Sequence, residues 1–299
     1  MSIPKRHGLL NHRERNITHA LFVLPNLVLY TVFSVFPILM GIYYSMTNWN
    51  GITRSYSFIG LKNYATMFSN TRFHRALSFN LRYVILYIVC TLILSVVLGL
   101  LLTRRIKGQS FFRSIYFFPA VIGMLSCGLI FRQIFGNALP TVGEHLGISA
   151  LQKNILSHPQ YAMYGILFVN LWQGVSIPTV LIIAGLQTIP QELQESASLD
   201  GASALQFFRY ITIPFLLPSM TMIGILALKE GLMIYDYVLA LTDGGPAGRT
   251  ESLTMLIMKQ GFNEQRFSLA IAESILLAIV IIIISAIQIE FTNKRKVYE

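Results

Sequence analysis

The stretch YVILYIVCTLILSVVLGLLL, Tyr83 to Leu102, runs for twenty residues without a charged side chain. Wound as an α-helix it is about 30 Å long, the thickness of the hydrocarbon core of a bilayer. Outward from it, five further apolar stretches are separated by charged segments: Ala20 to Tyr44, Ile115 to Phe131, Met163 to Leu186, Phe215 to Leu241 and Leu269 to Ile289. The third span, from Ile115, is short, and the fifth, from Phe215, carries charges. Of the 299 residues 54% are hydrophobic and 12% are charged, against roughly 25% charged in an ordinary soluble domain, so a water-soluble globule is excluded. The expected fold is all-α, a polytopic membrane protein with six transmembrane helices.

The formal charge is +10, and its basic residues collect in particular places. Lys5, Arg6, Arg13 and Arg15 precede the first span; Arg104, Arg105, Lys107 and Arg113 follow the second; Lys294, Arg295 and Lys296 close the chain. With six spans all three clusters share one side, which the positive-inside rule makes the cytoplasm. The expected organisation is a basic tail over 1–19, a six-span region over 20–291 and a second basic tail over 292–299, with both termini cytoplasmic. The first apolar run is too long for a signal peptide and has no small-x-small cleavage site, so it is expected to stay as an anchor. Arg54, Lys62, Arg72, Arg75 and Arg82, with no acidic residue among them, oppose the rule. An external amphipathic segment over Asn48 to Asn80 reconciles them with it. Cys90 and Cys127 lie in apolar runs and imply no disulfide framework.

Between the fourth and fifth spans, on the expected cytoplasmic side, lies TIPQELQESASLDGASALQFFRYITIP, Thr188 to Pro214. It reads as two short helices. Thr188 with Gln191 and Ser203 with Gln206 have capping-box spacing, Pro190 is tolerated in a first turn, and Gly201 suits a left-handed residue between the helices. Leu193 with Ala197, and Leu205 with Phe208, give each helix an apolar edge. Such a unit can dock in a groove or lie on lipid headgroups. Glu192 and Glu195 on the first helix argue against anionic lipid and against a DNA-binding helix-turn-helix.

Glu195-Ser-Ala-Ser-Leu-Asp-Gly201-Ala-Ser, with Ile211-Thr-Ile-Pro-Phe-Leu-Leu-Pro218 after it, resembles the EAA loop of the membrane subunits of binding-protein-dependent ABC importers, and its wording is similar to the carbohydrate branch, the MalF-type permeases. Phe58 to Tyr64 and Leu241 to Thr250 extend the resemblance over most of the chain. Ser196 stands where that family usually has alanine. The resemblance implies that Glu195, Ser196, Ala197, Asp200, Gly201, Ile211 and Pro214 form a coupling element. It also implies a second related permease, two ATP-binding-cassette ATPase subunits inside and an extracytoplasmic sugar-binding protein outside, in a prokaryotic plasma membrane. The function implied is half of the pathway for a sugar or oligosaccharide.

No Gly-Lys pair occurs, so the phosphate-binding loop of an ATPase is missing and ATP is expected to be bound by partners; no cofactor of the chain's own is expected. The six histidines show no metal-ligand spacing and no catalytic constellation appears. Polar residues inside spans are candidates for a pathway. Asn170, Trp172 and Gln173 on the fourth span suit a sugar, whose ring faces are apolar and whose edges are hydroxyls; equally, the amides can bond across helices while the indole packs. On the fifth span Tyr235 and Asp236 are added, and Lys229 lies seven residues before Asp236, a spacing that permits an ion pair, a partner contact or a substrate contact. Pro37, Pro119 and Pro178 are expected to interrupt or kink helices. Glu230, Asp236 and Glu273 leave an ion-coupled secondary transporter, acting without an ATPase, as the alternative.

Overall fold

The computed structural model describes residues 12–103, 109–149 and 151–293. The expected basic residues Lys5, Arg6, Arg104, Arg105, Lys107, Lys294, Arg295 and Lys296 lie outside them. Among the described residues there is no strand, and the single isolated β-bridge pairs Thr47 with Phe58. Four unbroken helices are long and apolar enough to cross a bilayer: α1 (Leu21–Ser45), α3 (Thr71–Thr103), α9 (Ala204–Leu232) and α12 (Phe267–Asn293). Two more spans are bent pairs. α4 (Ser114–Val121) meets α5 (Met124–Leu146) at 102°, and α6 (Ala162–Gly174) meets α7 (Ser176–Leu186) at 49°. Counting each pair once gives six spans. Shorter helices are α2 (Lys62–Ser69), α8 (Gln191–Leu199), α10 (Asp236–Leu241) and α11 (Leu253–Met258).

Three expectations need correction. The third span is no straight rod over Ile115 to Phe131: Pro119, which lacks an N–H, lies in a 3₁₀ turn over Phe118–Val121, after which the chain turns sharply. The fifth span is displaced towards the N-terminus, because the helix begins at Ala204 and ends at Leu232, well before Leu241. The second short helix of the 188–214 segment is therefore the first turn of a span. A π turn over Phe208–Thr212 carries the helix into Pro214, the extra residue opening room where the ring would otherwise crowd the preceding turn.

α3 is the central post, packing on α9 and α7. A stripe at four-residue spacing, Tyr83, Tyr87, Thr91 and Ser95, is buried along it, and Gly99 continues the line. At Gly99 a Cβ would lie 2.5 Å from Ile182 Cγ2, so the backbones of α3 and α7 approach as only glycine permits. α1 is peripheral; Gly41 meets Ile271 of α12, while Phe22 and Phe33 are exposed.

Where α9 stops, Asn80 of α3 takes over. Its Nδ2 donates to the Leu232 carbonyl at 2.7 Å and its Oδ1 accepts from the Leu253 N–H at 2.8 Å, all of it buried. One amide thus closes the C-terminus of α9 and the N-terminus of α11. Asn80→Leu should orphan both groups at a cost of about 1–3 kcal/mol each. The expected result is a lower thermal-unfolding midpoint in detergent; an unchanged midpoint contradicts this assignment.

Candidate functional site

Each interruption releases backbone groups that hydrocarbon does not satisfy, so irregular backbone at membrane depth belongs beside protein or a wet cavity. Here three interruptions meet. The break at Ile122–Gly123, the kink at Val175 and the break at Met233–Tyr235 surround one cavity of about 460 Å³, lined among others by Tyr87, Thr91, Asn170, Gln173, Glu230 and Tyr235. Gln173 is the tie between them. Its Nε2 donates to the Ile122 carbonyl left free at the first break, and its Oε1 accepts from Tyr237 Oη at 2.7 Å, just past the third. Ser176 Oγ donates to the Tyr116 carbonyl at 3.0 Å and Tyr116 Oη meets Thr179 Oγ1 at 2.6 Å, which fixes α4 against α7. Pro178 stands one turn past the kink and lines the cavity.

Asn170, Gln173, Tyr235 and Asp236 all line this cavity. Trp172 does not; its ring meets Phe131 edge-on at 5.1 Å on the far side of α6. Lys229 and Asp236 both line it, yet among the described residues no ion pair joins them, because the α9 break removes the helical register that their spacing assumed.

The polar groups are unequally committed. Both ends of the Gln173 amide are used within the protein, and Asn170 Nδ2 donates to Tyr83 Oη at 2.9 Å. Asn170 Oδ1 and Thr91 Oγ1, both buried and both on cavity-lining residues, have no protein partner. Gly174 keeps open the space beside Asn170 Oδ1, since a Cβ there would lie 2.9 Å from Tyr87 Oη, 3.4 Å from Asn170 Oδ1 and 3.5 Å from Glu230 Oε1. The wall is mostly apolar, with the Glu230 carboxylate among its few polar groups, and a water or a hydroxyl-bearing solute reaches the two buried oxygens only if the wall opens. No metal-binding group of three or more His, Cys, Asp or Glu side chains occurs among the described residues. Hydropathy passed over Tyr87 and Thr91; their four-residue spacing with Tyr83 and Ser95 was the available signal.

The 188–214 segment lies at the opposite end of α9 from the cavity. α8 ends in a Schellman motif, with Ala202 N donating to Ala197 O at 2.9 Å and Gly201 N to Ser198 O at 3.2 Å. Gly201 is left-handed at φ +70° with nothing near its missing Cβ, so conformation rather than space requires glycine. Ser203 and Gln206 form the full capping box. Thr188 and Gln191 do not: Thr188 Oγ1 bonds back to Gly185 O at 2.8 Å, and Pro190 occupies the N-cap instead of the first turn. Glu195 is exposed and accepts from Gln191 Nε2 at 2.9 Å, while Leu199 and Leu205 are exposed apolar side chains on either side of Gly201. Ser196, Ala197 and Asp200 share α8 and its cap, Ile211 lies in the π turn, and Pro214 opens the straight part of α9.

The family described as "Binding-protein-dependent transport system inner membrane component" matches residues 92–296. The multiple sugar-binding transport system permease protein MsmF of Streptococcus mutans is 40% identical over 276 residues, covering 92% of this chain and 95% of that protein. The probable starch degradation products transport system permease protein AmyD of Thermoanaerobacterium thermosulfurigenes is 31% identical, covering 95% and 97%. A chain of a bacterial alginate ABC transporter, solved in complex with a pentasaccharide-bound periplasmic protein, superposes with a TM-score of 0.82 at 18% identity over 95% of this chain and 96% of that one.

Gln173→Leu should free the Ile122 carbonyl and the Tyr237 hydroxyl together. Amide hydrogen exchange over 122–124 and 233–237 is expected to accelerate in that variant. Exchange at the wild-type rate in both segments would show that Gln173 does not hold the interruptions together.

Proposed function

The chain belongs to the family of inner-membrane components of binding-protein-dependent transport systems, and from that premise we propose that it forms half of the transmembrane pathway of an ATP-driven sugar or oligosaccharide importer. The other half is a second, related permease. Two ATP-binding-cassette subunits bind and hydrolyse the ATP, and an extracytoplasmic binding protein delivers the solute. Both termini and the 188–214 segment face the cytoplasm.

The observation that carries this reading is mechanical. The segment that resembles the EAA loop leads, through the turn at Gly201, into α9, a helix of 29 residues whose far end supplies Leu226, Lys229 and Glu230 to the cavity wall. A helix of that length is about 43 Å long. Displacement of the exposed Glu195–Gly201 unit by an ATPase subunit is delivered along α9 to the cavity, where Asn170 Oδ1, Thr91 Oγ1 and Glu230 meet the hydroxyls of the solute. The neutral amide, hydroxyl and carboxylate acceptors there favour a donor-rich solute. The names of the relatives, which concern sugars and starch products, agree with that chemistry.

Glu195→Lys and Gly201→Val test the coupling role together. The first brings a cation to a site proposed to meet basic residues, where disruption of a charge pair costs roughly 2–5 kcal/mol of binding; the second puts a β-branched residue at a left-handed φ. Both variants should insert and co-purify with the second permease while uptake and solute-stimulated ATPase activity fall together, by tenfold or more. Wild-type uptake in both would remove the coupling assignment. Uptake driven by an ion gradient in liposomes holding only this chain would replace the ABC reading with that of a secondary transporter.

A further inference from the structure

Five basic residues between the first two spans oppose the positive-inside rule, and the pathway described above uses none of them. With the termini cytoplasmic, the segments 47–82 and 242–267 are external. They carry Arg54, Lys62, Arg72, Arg75, Arg82, Arg249, Lys259 and Arg266 against Asp243, Glu251 and Glu264. All three carboxylates are engaged. Arg72 clasps Glu251 through Nε and Nη2, each at 2.7 Å, and reaches Glu264 through Nη1; Lys259 pairs with Asp243 at 3.2 Å. That leaves Arg54, Lys62, Arg75, Arg82, Arg249 and Arg266 exposed and joined to no carboxylate among the described residues.

The segments that bear these cations are tied to one another and to the bundle. Asn63 Nδ2 donates to the Ser45 and Thr47 carbonyls at 2.7 and 2.8 Å, Trp49 stacks on Tyr44 at 4.5 Å and meets Phe267 at 5.3 Å, and Ser268 N donates to Trp49 O at 3.0 Å. Met67, Phe73, Leu253 and Leu256 form the core beneath. Ile52, Phe58, Leu61 and Phe262 are 63–69% exposed among the cations, the mix of apolar anchors and arginine that marks a protein-binding face. Lipid headgroups do not account for the whole set. α3 has 33 residues, about 50 Å, of which the uncharged run Tyr83 to Leu102 fills the hydrocarbon. The turns bearing Arg72 and Arg75 therefore rise roughly 10–18 Å beyond it.

We infer that this surface is an electrostatic docking face whose unpaired arginines and lysine recognise an acidic surface on the extracytoplasmic solute-binding protein. The inference rests on the permease reading and adds to it the charge of the partner's contact surface. Exposed like charges of this kind act on encounter and on salt dependence more than on the final bound geometry.

The test uses the complete transporter in nanodiscs of zwitterionic lipid, titrated with the cognate binding protein carrying the sugar it retains on purification, with ATP hydrolysis as the readout. For the wild type the half-saturating concentration of binding protein should rise about tenfold between 50 and 300 mM NaCl. In Arg54→Glu/Arg75→Glu/Arg266→Glu it should already be about tenfold higher at 50 mM and nearly flat in salt, with the maximal stimulated rate regained at saturation. The triple lysine variant should behave as wild type. A triple glutamate variant with wild-type half-saturation and salt slope overturns the inference, as does an effect that appears only in nanodiscs of anionic lipid. Failure of the wild type to respond to any loaded binding protein overturns the permease reading itself.

Discussion

A buried backbone carbonyl or N–H in hydrocarbon has no water to bond, and everything else in this fold follows from how the freed groups are met. Gln173 answers for the break at Ile122, and Asn80 answers for the end of α9 and the start of α11. Because those amides sit on neighbouring helices, satisfying the backbone also locks the helices together. Three interruptions border one cavity, and two of the buried oxygens left without a protein partner, Asn170 Oδ1 and Thr91 Oγ1, belong to residues that line it.

The same constraint sets what can move. α9 is unbroken from the exposed capping box at Ser203 to the cavity, and its π turn absorbs Pro214 without ending the helix. Gly201 and the Schellman motif turn the chain between α8 and this rod. A continuous helix thus joins an exposed helix–turn unit at one end to the cavity wall at the other.

Hydropathy locates the first and last spans, and the C-terminal end of the second, within a few residues, while the second helix begins twelve residues before its apolar run. It was blind to the breaks. A twenty-residue average spreads the turn at Pro119 over its apolar neighbours, and it merged α10 with α9 because Tyr237 to Leu241 is as apolar as Ile223 to Leu228. Capping chemistry was legible where the competing bond was absent, at Ser203, and misleading at Thr188, whose hydroxyl found the Gly185 carbonyl first. Asn170 and Gln173 were recognisable as polar residues sharing a helix face. Trp172 was not separable from them without knowing that Phe131 waits on the other side. Asn80 escaped notice because it lies in the part of α3 that extends beyond the apolar run.

Converging interruptions either enclose a wet pathway or close into a packed seam. Thiol accessibility in the assembled transporter separates the two, with Cys90 and Cys127 replaced by alanine and a single cysteine placed at Thr91, which lines the cavity, or at Val89, which faces outward. A wet pathway is expected: a small charged thiol reagent labels Thr91→Cys, a transported solute slows the labelling, and Val89→Cys stays unreactive in the lipid. An inert Thr91→Cys, or labelling that is equal at the two positions and indifferent to solute, would contradict it.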